Sequence, residues 1–80
     1  MATRAFVLIE TSVGRTREVV ASLNGVSNVR SIDAVTGPYD IIAVVEAGDL
    51  ASVGDTVTGS VHTIPGIVRT VTCLAVGSGG

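Results

Sequence analysis

Thr36 to Asp40, TGPYD, sets five residues of complementary chemistry directly before an unbroken apolar run, IIAVV. Glycine adopts backbone conformations that side chains resist and lets another molecule approach the chain, while Pro38 fixes φ and lowers the entropy of the turn before anything binds. Amides near Gly37 and Tyr39 offer donors to an anionic group, and Asp40 offers an acceptor to a cationic one. Tyr39 can wall a pocket with its ring and present its hydroxyl. Thr70 and Thr72, two residues apart and so on one face of a strand, add two more hydroxyls. Gly37, Pro38, Tyr39, Asp40, Thr70 and Thr72 are therefore the candidate ligand-binding residues. Each also has a structural reading: Gly-Pro and the following aspartate are ordinary hairpin material, Tyr39 can pack at an oligomer interface, and the two threonines are good β-formers.

Bond-making chemistry has little to work with. One histidine, one tyrosine, one cysteine and no tryptophan stand in a chain whose expected buried positions are aliphatic, so no catalytic residue is assigned. A small enzyme such as a cofactor-free monooxygenase or isomerase is the weaker alternative. His62 has no second ligand at metal-binding spacing and is read as structural, near a helix end where a positive ring suits the dipole. Cys73 sits in an apolar strand and reads as a small hydrophobe. No metal and no cofactor is expected.

Eighty residues make one small domain, 1–80, that buries only ~60% of the surface its unfolded chain exposes. A lone cysteine cannot form an internal disulfide, so the missing stability points to association. The apolar fraction is 46% and the mean hydropathy +0.61, yet charges or glycines interrupt every apolar stretch well short of the ~18 residues that cross a bilayer. MATRAFVLIE lacks the long apolar segment and cleavage site of a signal peptide, so a soluble, cytoplasmic protein with no membrane partner is expected. The net charge is −2, there is no lysine, and Arg4, Arg15, Arg17, Arg30 and Arg69 are scattered, which argues against direct nucleic-acid binding.

The elements that must position the candidates follow from periodicity. Thr3 to Glu10 is short and rich in β-branched and aromatic residues, a strand. Thr16, Val19, Val20 and Leu23 share one helical face, and Asn24-Gly25 stops that helix. Asn28 to Thr36 mixes polar and apolar residues as a half-exposed strand does, and GPYD turns the chain into a second apolar strand, Asp40 to Ala47. Asp49 is a candidate N-cap for a helix carrying Leu50, Val53, Val57 and Val61, which ends before Pro65-Gly66. Ile67 to Val76 is the last strand, and GSGG, residues 77–80, is a flexible tail. The order β, α, β, β, α, β predicts an α+β ferredoxin-like sandwich: a four-stranded antiparallel sheet with both helices on one face and the first and third strands central.

Those central strands are apolar on both faces. Ala5, Val7 and Ile9 oppose Phe6 and Leu8, while Ile41, Ala43 and Val45 oppose Ile42 and Val44. Two short helices cover one face only, and the other would be a contiguous apolar patch larger than soluble monomers usually tolerate. A homodimer packed sheet to sheet, extending to a tetramer, an octamer or a ring, is the expected answer.

Val35 to Val76 also resembles the effector-binding, or RAM, domain of the Lrp/AsnC transcriptional regulators. The shared parts are G-x-Y-D (Gly37, Tyr39, Asp40), a D-L helix start (Asp49, Leu50), P-G-[IV] (Pro65, Gly66, Ile67) and T-x-T (Thr70, Thr72). The resemblance extends over nearly the whole chain, from Ala5 to Val76. Family members place a helix-turn-helix domain before this one, whereas only MAT precedes the first strand here, so the resemblance implies a stand-alone form. It further implies a non-enzymatic oligomer that binds an amino acid or similar small effector where subunits meet and co-assembles with full-length Lrp/AsnC regulators. A free amino acid carries a carboxylate and an ammonium group, which the turn amides and Asp40 would match. A purely structural assembly partner without ligand is the alternative, and ACT-type amino-acid-binding modules share the same element order.

Overall fold

A computed structural model describes residues 2–77, so the tail expected over 77–80 lies outside it apart from Gly77. The chain runs through β1 (Thr3–Thr11), α1 (Thr16–Leu23), β2 (Val29–Ala34), β3 (Ile41–Ala47), α2 (Leu50–Thr56, prolonged by a π-helical turn over Val57–Val61) and β4 (Ile67–Leu74). The strands form one antiparallel sheet in the order β2-β3-β1-β4. This is the ferredoxin-like α+β sandwich, with the first and third strands central as predicted. Among the described residues, no helix is long and apolar enough to cross a membrane.

Alternation along the strands becomes a division between faces. Ala5, Val7, Ile9, Ile41, Ala43 and Val45 have no exposed surface, and Val19 and Leu23 of α1 with Val53, Val57 and Val61 of the second helical segment complete that core. Phe6, Leu8, Ile42 and Val44 point to the opposite, helix-free face, where register sets Phe6 beside Val44 and Cys73, and Leu8 beside Ile42 and Val71. The open face is thus a continuous apolar strip. Charged residues close both of its ends, Arg4, Arg30 and Glu46 at one and Glu10 and Arg69 at the other.

Three local features differ from the sequence reading. The edge strands are shorter than expected: β2 ends at Ala34 and β4 at Leu74, each followed by a single hydrogen bond, Val35 N–H to the Asp40 carbonyl and Ala75 N–H to the Arg4 carbonyl. Leu50, predicted to share the buried stripe, is 57% exposed: as the first helical residue it stands outside the helix–sheet contact. The second helix also widens. Val53, Val57 and Val61 are four residues apart, and in an α-helix each such step overshoots a full turn by about 40°. The π-turn, closed by His62 N–H donating to the Val57 carbonyl at 2.9 Å, rotates Val61 back onto the sheet.

Buried polar groups in this layer are partnered. Thr56 Oγ1 donates to the Ser52 carbonyl at 2.9 Å and accepts from Asn28 Nδ2 at 2.8 Å, fastening α2 to the start of β2. Asp49 caps α2, its Oδ1 accepting from Ser52 N–H at 2.7 Å, and the backbone and side-chain hydrogen bonds from Ser52 hold its carboxyl below the usual aspartate value. Gly66 has φ +100°, and a Cβ there would lie 3.1 Å from both Arg15 Cβ and Val19 Cγ2, so the Pro65-Gly66 turn presses directly on α1.

Candidate functional site

The Gly37–Asp40 turn is built from its ends inward. Val35 N–H donates to the Asp40 carbonyl at 2.9 Å and Asp40 N–H donates to the Ile9 carbonyl at 2.9 Å, which pins the turn to the end of β1. Gly37 has φ +154° with open space around it, and the amides of Gly37 and Tyr39 have no hydrogen-bond partner among the described residues. Two unused donors in a proline-stiffened turn suit an anionic group.

Asp40 is half-buried and already partly engaged. Its Oδ2 accepts from Thr11 N–H at 2.8 Å and from Thr11 Oγ1 at 3.2 Å, and Thr11 Oγ1 in turn lies 2.8 Å from Thr16 Oγ1. The carboxylate therefore links the start of β3, the end of β1 and the first turn of α1. Oδ1 has no partner among the described residues.

Tyr39 leans the other way. Arg69 lies over its ring, 5.5 Å from the centroid, and Arg69 Nη2 donates to Tyr39 Oη at 3.3 Å while Arg69 Nε sits 3.5 Å from Glu10 Oε1. Arg69 and Glu10 face each other across β4 and β1 on the open face, so Tyr39 closes that end of the apolar strip. Both charges are more than a third exposed, and their pairing orients the guanidinium more than it stabilises the fold.

The threonines do not join this cluster. Thr70 and Thr72 stand opposite Ile9 and Val7, on the helix side of the sheet, whereas Tyr39 and Arg69 belong to the open side. Thr70 Oγ1 is hydrogen-bonded to His62 Nε2, and Thr72 is exposed. Within one chain, then, Gly37, Pro38, Tyr39 and Asp40 are brought together, and Thr70 and Thr72 lie across the sheet from Tyr39.

Sequence reasoning did not single out Thr11, Glu10 or Arg69 as partners of the turn. A signal existed: once the first and third strands are adjacent, the end of one must meet the start of the other, which places Thr11 by Asp40. Beside α1 and the end of β2 there is also an open cleft of about 690 Å³ lined by Gly14, Thr16, Arg17, Glu18, Val20 and Ala34. None of the six candidate residues lines it.

Comparison with known proteins agrees with this architecture. The model of the Lrp/AsnC ligand binding domain matches residues 4–78. A crystal structure of the protein TTHA0845 from Thermus thermophilus is 33% identical, covering 95% of either chain with a TM-score of 0.90. FFRP-DM1 is 32% identical over 92% of this chain and 99% of its own, with a TM-score of 0.88. A transcriptional regulator from Neisseria meningitidis, solved as a complex with L-Met, shares the fold at 19% identity and a TM-score of 0.87; 98% of this chain matches 52% of that longer one. No curated protein matches the chain. With a family model spanning nearly every residue and the G-x-Y-D turn in its place between the second and third strands, the chain belongs to the Lrp/AsnC ligand-binding domain family.

Proposed function

We propose that this domain is a small-effector-binding and oligomerisation module, that a second copy covers its open sheet face, and that a free amino acid or related metabolite binds at the Gly37–Asp40 turn near where copies meet. The observation that carries the reading is the turn itself: two unpartnered amides, Asp40 anchored through one carboxylate oxygen only, and Tyr39 held by Arg69 at the rim of the apolar strip. The amides of Gly37 and Tyr39 would take the effector's carboxylate and Asp40 Oδ1 its ammonium. Thr70 and Thr72 enter this scheme only as groups from a neighbouring copy. The complex of the Neisseria regulator with L-Met makes methionine the first effector to try. Through the same surfaces the domain would co-assemble with longer Lrp/AsnC regulators and modulate them, with no nucleic-acid contact and no catalysis of its own.

A purely structural role is the second reading, favoured by the bonds that Asp40 makes to Thr11 and Thr70 to His62. Thermal melts of the protein at one fixed concentration, against each of the twenty amino acids, separate the two. A ligand at ~100 times its Kd contributes ~2.7 kcal/mol, a rise of several degrees for a domain of this size. Asp40→Asn keeps an acceptor for Thr11 but removes the charge, so the effector reading expects an almost unchanged melt without ligand and no ligand-induced rise. A flat panel, or a full response from Asp40→Asn, would leave the structural role standing.

A further inference from the structure

Asp40 ends a chain of hydroxyls whose direction follows from counting protons. An ionised carboxylate only accepts, so the single proton of the buried Thr11 hydroxyl goes to Asp40 Oδ2 at 3.2 Å, and the 2.8 Å contact between the two threonine hydroxyls is Thr16 donating to Thr11. α1 starts without a side-chain cap, and the one hydroxyl in its first turn is directed at Thr11 instead of at its own helix. The donor is also held from behind. Ser12 N–H donates to the Gly66 carbonyl at 2.8 Å and Arg15 N–H to the Ser12 carbonyl at 3.0 Å, while Gly66 lies so close to Arg15 and Val19 that the first turn of α1 rests against the Pro65-Gly66 turn. Thr11 and Thr16 are thus the two ends of one fastened loop, the kind of support that holds a binding group in a single geometry.

We propose that Thr16 is a positioning residue for the effector: acting through Thr11, it keeps Asp40 Oδ2 engaged and leaves Oδ1 as an oriented, unspent charge for an ammonium group. The inference rests on the effector reading, which assigns Oδ1 to that ammonium. Hydrogen bonds in a chain polarise one another, so the Thr16 proton makes the Thr11 hydroxyl a better donor to the carboxylate although Thr16 and Asp40 do not touch. Without it, Oδ2 keeps the Thr11 N–H but a weakened hydroxyl bond, and the carboxylate is free to turn. The coupling is reciprocal: an ammonium group drawing on the carboxylate at Oδ1 makes Oδ2 a poorer acceptor, so occupancy of the turn is felt in the first turn of α1.

Thr16→Val keeps the shape of the side chain and loses the proton, whereas Thr16→Ser keeps the proton. Calorimetric titration with L-methionine should show binding about threefold to tenfold weaker in Thr16→Val, the worth of one net hydrogen bond, and close to wild type in Thr16→Ser. A side chain that served the fold alone would lower the urea midpoint without moving the Kd. A double-mutant cycle in urea examines the chain with no ligand present: Thr16→Val and Asp40→Ala together should cost less than the sum of the two alone, and Thr16→Ser with Asp40→Ala should simply add. Wild-type affinity in Thr16→Val, or full additivity of Thr16→Val with Asp40→Ala, would overturn the role of Thr16. A coupled cycle in a protein that does not bind methionine would count against that effector and leave the hydroxyl chain standing.

Discussion

The two faces of one sheet use almost the same residues to opposite ends. On the helix side, the alternate residues of β1 and β3 are sealed under Val19, Leu23, Val53, Val57 and Val61. On the open side their immediate neighbours Phe6, Leu8, Ile42 and Val44 are only partly buried, and arginines extend over the aromatic rings, Arg4 over Phe6 and Arg69 over Tyr39, each 5.5 Å from the centroid. Composition does not separate the faces. The difference lies in what each still lacks: the first has its cover within the chain, and the second ends in oriented charges that can meet another surface. The Gly37–Asp40 turn sits at the border, with Asp40 fastened to the sealed side through Thr11 and Tyr39 turned to the open side.

Truncation on either face gives the largest contrast. Ile9→Ala removes a fully buried side chain and should destabilise the fold by ~2–5 kcal/mol. Leu8→Ala, one residue away, should cost far less at concentrations where the subunit is isolated, with the gap narrowing as protein concentration rises. Urea unfolding at two concentrations measures this, and equal losses at both would erase the distinction between the faces.

A smaller effect compares the two special turns. Gly66→Ala forces a side chain onto φ +100° and into α1, which should cost ~1–3 kcal/mol; Gly37→Ala, at φ +154° with open space around it, should cost less and act on ligand binding instead. Urea midpoints of both variants, with and without effector, sort them.

The smallest effect concerns the cap that holds α2 over the sealed face. Because the folded-state pKa of Asp49 is lowered, its stabilisation is present above the ordinary aspartate value and is lost as pH falls through the folded value. Asp49→Asn should therefore melt slightly below wild type at neutral pH, and the two curves should converge in acid. A gap that persists at low pH would mean that the carboxylate charge is not what caps the helix.

Much of the fold was legible because its signals are local. A period of two along Ala5 to Ile9 and Ile41 to Val45, the 3.6-residue period of Thr16 to Leu23, and Asp49 before Leu50 each act through neighbours in the chain. The Gly37–Asp40 turn was legible for the same reason. The separation of Thr70 and Thr72 from Tyr39 was not, because it depends on the parity with which β4 registers against β1, and the sequence of β4 reads equally well in either phase. Leu50 misled because the spacing of a stripe does not say where along the helix the sheet ends.

By itself, then, the sequence determined the order of elements, the apolar character of both sheet faces and the chemistry of the turn, all of them properties of residues near one another in the chain. Only the tertiary structure decided that Asp40 binds Thr11, that Arg69 holds Tyr39 and that a π-turn re-aims Val61. Those depend on which strands become neighbours and in what register, and that is settled by burying the whole core at once.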